Sequence, residues 1–218
     1  MYDFSRINNV VFSVGRVGPN GVQLLGTSFL TNRKGIFASV AHVSGQEDTN
    51  LVIAFKPITS ISDYQDTSDN SIQTFPVKIH AYDPIHDLCL LKSDHDIGSN
   101  VVIGGSDDVG VGENVSTFGY PHADQGRMVL TQQITEIGAK ILVAAGGIKS
   151  KHVVLNIQSR PGQSGSPIFS LRSGKLSAIL IGSYAPGGGG GISLGGVDPH
   201  TLHQTTHAIS AEYLERMF

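Results

Sequence analysis

Three side chains in this 218-residue sequence have the types that acyl transfer requires: Ser164, His42 and Asp87. Ser164 stands in RPGQSGSPIF, residues 160–169, between Gly162 and Gly165, with Pro161 and Pro167 outside them. A serine nucleophile needs an exposed hydroxyl, a base to take its proton, and donors for the developing oxyanion. Gly162 lets the backbone bend so that the N–H groups of Gly162 and Ser164 point into one concavity, and Gly165 leaves clearance beside the hydroxyl. The same residues also describe an ordinary Pro/Gly turn with a solvent-facing serine, so the segment alone leaves two readings open.

His42 is the candidate base. It lies in GIFASVAHVSG, where an apolar run ends and a polar loop begins, so its imidazole can leave a core and face a cleft. It reads equally as a satisfied histidine at a strand terminus. Asp87 opens DLCLL, in which every following residue is apolar. A carboxylate set against a buried strand needs a hydrogen-bond partner. An imidazole N–H would supply one and would fix the histidine tautomer. The bland reading of Asp87 is an exposed residue capping its strand. Asp83 competes with it, although Asp83-Pro84 reads as a solvated turn. The order along the chain is His–Asp–Ser, not the Ser–Asp–His of α/β hydrolytic folds, and the G-x-S-x-G elbow fails because Ser166 takes its last position.

Short strands must position these residues. Hydrophobic residues make up 39% and charged residues 15%, a globular balance, and 27 glycines among short apolar runs favour strands joined by tight turns. Runs at 10–16 (VVFSVGR) and 22–30 (VQLLGTSFL) flank Gly18-Pro19-Asn20-Gly21, a hairpin turn. Further strands are expected at 35–40, 51–55, 75–81, 87–92, 114–120, 128–136, 141–144, 152–157, 167–171, 176–184 and 204–209. Helix signals are confined to the end, where Ser210 would cap a short AEYLERMF helix. The expectation is all-β: two six-stranded antiparallel β-barrels with a short C-terminal helix. An N-terminal half, 1–100, would carry His42 and Asp87, and a C-terminal half, 101–218, would carry Ser164. The divide falls in the Gly/Ser/Asp-rich stretch 94–112, while 57–74 and the glycine-rich 186–196 (PGGGGGISLGG) read as loops.

Four motifs carry a family resemblance. LLGTSFLTNRKGIFASVAHV is similar to a G-T-G-F strand followed by an A-A-H segment. HDLCLLK, STFGYP and RPGQSGSPIF are similar to D-[IL]-A-[LV]-[LI], a strand ending G-Y-P or G-N-P, and P-G-[ND]-S-G-[GS]-P. In order over roughly residues 10–216, they resemble a trypsin-like (chymotrypsin-fold) serine protease. The type is the disulfide-free bacterial one, related to the HtrA/Deg and glutamyl-endopeptidase branches. The resemblance implies a serine endopeptidase working through an acyl-enzyme on protein or peptide substrates. Ser164 would be the nucleophile, His42 the general base and then acid, Asp87 the orienting carboxylate, and the N–H groups of Gly162 and Ser164 the oxyanion hole. Ile181, Gly182 and Ser183 would pair the substrate strand, Gln158 would lie at the base of the specificity pocket, and Gln158 with Thr206 would make that pocket polar or mixed. His207 lies on the strand expected to wall that pocket, where glutamate-specific relatives use a histidine to bind a carboxylate. The sequence departs from the pattern at Gln163, for the usual Asp or Asn, and at Ser39-Val40, for Thr-Ala. No acidic residue matches the pocket base, so cleavage after Arg or Lys is not implied. No I-V-G-G-like start is present, so control is expected through loop ordering or a regulatory protein partner.

Other classes are disfavoured. A net charge of −3 asks for neither nucleic acid nor an anionic membrane. The single cysteine, Cys89, excludes an intrachain disulfide and reads as a core residue. With MYDFSRINNVV lacking a signal-peptide pattern, the expected location is cytoplasmic. His200-x-x-His203-x-x-x-His207 lacks companion ligands, so no metal and no cofactor are expected. The rival reading is a protease-fold binding or scaffold module with little or no catalytic activity.

Overall fold

The computed structural model describes residues 3–184 and 205–218; the segment 186–196, His200 and His203 lie outside the described residues. The first half is an antiparallel sheet of β1 (Val11–Gly18), β2 (Gly21–Leu30), β3 (Ile36–Val40), β4 (Leu51–Phe55), β5 (Gln73–Pro76), β6 (Lys78–Asp83) and β7 (Leu88–Lys92). Their spatial order is β5-β4-β1-β2-β3-β7-β6. The expected hairpin joins β1 to β2, with Gly21 at φ 110°, a conformation open to glycine.

The two edges of this sheet are consecutive stretches of one chain. The run expected as a single strand at 75–81 is β5 and β6, interrupted at Val77, whose N–H still reaches Leu51 O at 3.0 Å. β5 pairs with β4 and β6 with β7. The kink at Val77 thus closes the ring through the covalent backbone instead of through a ladder.

The second half is a closed antiparallel barrel. It comprises β8 (Asn114–Gly119), β9 (Thr131–Ala145), β10 (Ile148–Leu155), β11 (Pro167–Ser170), β12 (Leu176–Tyr184) and β13 (Thr205–Ser210), in the order β10-β13-β12-β11-β8-β9. The strands expected at 128–136 and 141–144 are one 15-residue strand, β9. Between the two expected runs, the Asn156 side chain occupies the space that a Cβ on Gly138 would take. The C-terminal helix is a 3₁₀ helix, Ala211–Arg216. Ser210 precedes it without capping it; its hydroxyl accepts from Ser106 N–H at 2.8 Å and donates to Glu212 at 3.2 Å.

One hydrophobic cluster crosses between the halves, joining Phe29, Phe37 and Leu90 to Phe118, Phe169, Leu176, Ile209 and Leu214. Burying each of these large side chains stabilises the fold by roughly 1.5–3 kcal/mol. A smaller cluster of Val115, Ile137, Val153, Ile168 and Leu180 fills the closed barrel. Cys89 is fully buried in the first cluster, and burial pushes its thiol up to about 11, which makes it unreactive. Among the described residues no helix is long and apolar enough to cross a membrane.

Candidate active site

β3 delivers His42. The strand ends at Val40, and Ala41–Ser44 forms a single helical turn, α1. The turn before β7 grips its start: Ala41 N–H donates to Asp87 O at 3.0 Å, and His42 N–H donates to Asp87 Oδ1 at 2.9 Å. The other carboxylate oxygen, Oδ2, lies 2.6 Å from His42 Nδ1. A proton on Nδ1 directed at a carboxylate leaves Nε2 as an acceptor, the state a general base needs. Asp87 has φ 55°, left-handed backbone that a non-glycine residue holds only where its surroundings fix it.

Asp83 is not a solvated turn residue. Its Oδ1 accepts from Ile85 N–H (3.0 Å) and His86 N–H (3.1 Å), and its Oδ2 lies 2.6 Å from His86 Nδ1. Burial raises its carboxyl, but the hydrogen bonds from His86 outweigh that and hold it below the ordinary carboxylate range. It is occupied with His86, not with His42.

Around Ser164 the peptide planes are set from behind. Pro161 O accepts from His122 N–H at 2.6 Å, and Gln163 O accepts from Ser166 N–H at 3.0 Å. A trans peptide points its C=O and N–H in opposite directions. Fixing these two carbonyls therefore turns the N–H groups of Gly162 and Ser164 the other way, and neither has an acceptor among the described residues. Gly162 is at φ 88°; a Cβ there would collide with Tyr120 O and approach Ala123 N to 2.7 Å. Gly165 is at φ 89°, and a Cβ there would collide with Thr27 O. Gln163 is buried: its Oε1 accepts from Arg160 N–H at 2.7 Å and its Nε2 donates to Gln133 Oε1 at 2.6 Å. The longer amide reaches β9, which explains the departure at this position.

The residue that ties the halves together at this point is Thr27, which sequence reasoning did not single out. Its N–H donates to Ser164 O (2.9 Å) and its hydroxyl donates to Gly162 O (2.8 Å) and accepts from Tyr120 N–H (3.2 Å). Its own carbonyl accepts from Ser39 Oγ at 2.7 Å, which gives the serine of Ser39-Val40 a buried task. Thr27 lies in the LLGTSFL motif, but its partners Tyr120, Gly162 and Ser164 are too far along the chain to leave a local signal. Beside it, a Cβ on Gly26 would lie 2.7 Å from Val43 and 3.0 Å from Ser164 O. The turn carrying His42 and the loop carrying Ser164 therefore meet over Gly26.

The hydroxyl of Ser164 donates to Ile181 O at 2.8 Å. The β12–β13 register passes from Leu180↔Ala208 to Gly182↔His207, so Ile181 is an extra residue whose carbonyl is released from the ladder. Gly182 lies alongside; a Cβ there would stand 4.0 Å from Ser164 Oγ. Ser183 continues β12 opposite Thr206. Thr206 Oγ1 donates to Ile157 O (2.6 Å) and accepts from Ser159 N–H (2.8 Å), stitching the residues either side of Gln158 to β13. Gln158 is exposed. His207 is partly buried, and burial lowers its pKa below the ordinary histidine value. Its Nε2 lies 3.2 Å from Thr205 Oγ1. Among the described residues no group of three His, Cys, Asp or Glu is placed to hold a metal ion.

A closed six-stranded barrel beside a covalently closed sheet, with a histidine–carboxylate pair and a serine loop meeting where the halves join, defines a chymotrypsin-like fold. The sequence matches the trypsin-like peptidase domain family over residues 26–179, most of the chain, and the protein belongs to that family. No curated protein matches it. Solved structures share the fold. The HtrA-type protease AlgW with tripeptide is similar at TM-score 0.67 and 19% identity, covering 97% of this chain and 60% of AlgW. The chain thus spans less than two thirds of AlgW's length. The MamO protease domain from Magnetospirillum magneticum, in its apo form, matches at TM-score 0.67 and 15% identity over 98% of this chain and 97% of its own. The active form of the Rv3671c protease from M. tuberculosis matches at TM-score 0.65 and 17% identity over 96% and 79%.

Proposed function

We propose that this chain is a serine endopeptidase acting on peptide segments through a Ser164 acyl-enzyme. The observation that carries the reading is the His42 Nδ1–Asp87 Oδ2 contact of 2.6 Å beside a serine loop with two N–H groups that have no acceptor among the described residues. A substrate strand adds to the edge formed by Ile181, Gly182 and Ser183, and its N–H takes the Ile181 carbonyl from the Ser164 hydroxyl. The freed hydroxyl turns to His42 Nε2. His42 accepts its proton as Oγ bonds to the scissile carbonyl carbon, and Asp87 stabilises the imidazolium. The carbonyl oxygen becomes an oxyanion facing the N–H groups of Gly162 and Ser164. As the C–N bond breaks, His42 passes the proton to the leaving amine. Water, deprotonated by His42, then releases the acyl group and restores Ser164.

Gln158, Thr206 and His207 are assigned to the specificity pocket. AlgW, described with a tripeptide, supports peptides as the substrate class. The lone buried Cys89 suits the reducing interior of a cell. Control by a regulatory partner belongs to the same proposal.

One observation favours a second reading, a binding module without turnover: Ser164 Oγ donates to Ile181 O and not to His42. A fluorophosphonate probe separates the two. The enzyme reading expects covalent labelling of the wild type and none of Ser164→Ala. A folded wild type that stays unlabelled with and without candidate peptides would leave the binding module standing.

A further inference from the structure

We infer that Tyr213 and His86 are positioning residues, through which the C-terminal 3₁₀ helix braces the turn that aims Asp87 at His42. The inference rests on the proposed role of Asp87 as the orienting carboxylate. That role demands an exacting placement: one oxygen serves His42 N–H, the other serves the imidazole, and the backbone is left-handed at φ 55°. Such a conformation persists where neighbours over-determine it.

The residue before Asp87 supplies the constraint. His86 is held on one side by Asp83, with Nδ1 2.6 Å from Oδ2, and its side chain is only 11% exposed. On the other side its ring stacks on Tyr213, with centroids 4.0 Å apart and planes 23° from parallel. Tyr213 is itself pinned. Its hydroxyl accepts from Lys151 N–H on β10 at 2.8 Å, and the Arg216 guanidinium lies 5.6 Å from its ring centroid. A continuous path thus runs from β10, in the half that carries Ser164, through Tyr213 and His86 to the backbone of Asp87. Without the ring, the turn from Asp83 to Asp87 loses its outer wall and the carboxylate loses its fixed bearing on His42. A misplacement of about 1 Å caused by a change far from the reacting atoms can slow turnover by on the order of 10²-fold.

The test uses two independent readouts on the full chain. The first is the Nδ1–H proton resonance of His42 in NMR, which reports the bond to Asp87 whether or not the protein turns over. The second is kcat and KM on a cleavable peptide. Tyr213→Ala should shift or broaden the resonance and lower kcat by about 10- to 100-fold with KM little changed. Tyr213→Phe, which keeps the stacked ring and loses only the bond from Lys151 N–H, should recover most of both. His86→Ala should act like Tyr213→Ala, and the double variant should be no worse than either single; it also serves if Tyr213→Ala does not fold. A folded Tyr213→Ala or His86→Ala with the wild-type resonance overturns the bracing role. A wild type that the fluorophosphonate never labels overturns the enzyme reading instead, while the resonance still decides the bracing.

Discussion

Ser164 Oγ rests 2.8 Å from the carbonyl oxygen of Ile181, the one residue that the β12–β13 register skips. A bulge in a barrel strand thus holds the candidate nucleophile. An incoming strand seeking the same carbonyl would compete for it, which couples substrate pairing to release of the hydroxyl.

The proposed triad should be separable from the fold. Ser164→Ala, His42→Ala and Asp87→Asn are each expected to lower kcat by roughly 10³- to 10⁴-fold or more. Thermal midpoints should stay near that of the wild type, because Ser164→Ala removes one atom, Asp87→Asn keeps the side chain's shape and His42 is about half exposed. Peptide-cleavage kinetics and thermal melts check this. A large drop in midpoint for Ser164→Ala would make the serine a turn residue.

Thr27→Val should harm stability and turnover together. The change keeps the shape but removes a hydroxyl that serves Gly162 O and Tyr120 N–H, leaving both buried groups unpaired. The expected cost is about 1–3 kcal/mol in urea unfolding. Labelling of Ser164 should slow, since the Gly162 peptide loses its tether. Stability loss with unchanged labelling would limit Thr27 to a packing role.

Gly162→Ala should abolish fluorophosphonate labelling. At φ 88° a Cβ strains the backbone and drives into Tyr120 O and Ala123 N, so the loop must rearrange. Mass spectrometry of the treated variant reads the outcome. Labelling at the wild-type rate would remove Gly162 from the oxyanion site.

Several elements could be read from local sequence because local chemistry determines them. The hairpin at Gly18-Pro19-Asn20-Gly21, the strand 176–184 and the Pro/Gly-framed serine loop are of this kind. What escaped depends on distant partners. The continuous strand β9 reads as two separate runs until Asn156 is seen filling the side of Gly138 between them. Thr27 is one small residue in an apolar run until three separate segments converge on it. Asp83-Pro84 has turn chemistry, and only the fold reveals that His86 draws the carboxylate inward.

Acid should destabilise the protein through His152. Burial, with smaller contributions from the charges of His207 and His86, lowers its pKa from the ordinary 6.5 to about 4, and its buried Nδ1 has no hydrogen-bond partner among the described residues. As pH falls below 6.5 the unfolded chain takes up a proton that the folded form refuses until about 4. Stability is therefore full above that window and declines as pH falls through it. Asp83, whose pKa is depressed in the fold, adds a further loss at still lower pH. Thermal midpoints across the window should show the decline, and His152→Leu should flatten it. An undiminished slope in that variant would assign the acid sensitivity to other groups.

The hydrophobic cluster that runs from Phe37 through Phe118 and Phe169 to Leu214 has a thermodynamic consequence. Neither half can open without exposing part of the other's interior, so the chain should melt in a single cooperative transition. The candidate site lies on that shared seam. Its backbone amides at Thr27 and Gly165 should exchange with solvent at close to the rate set by global unfolding, so that the geometry around Ser164 lasts as long as the native state itself.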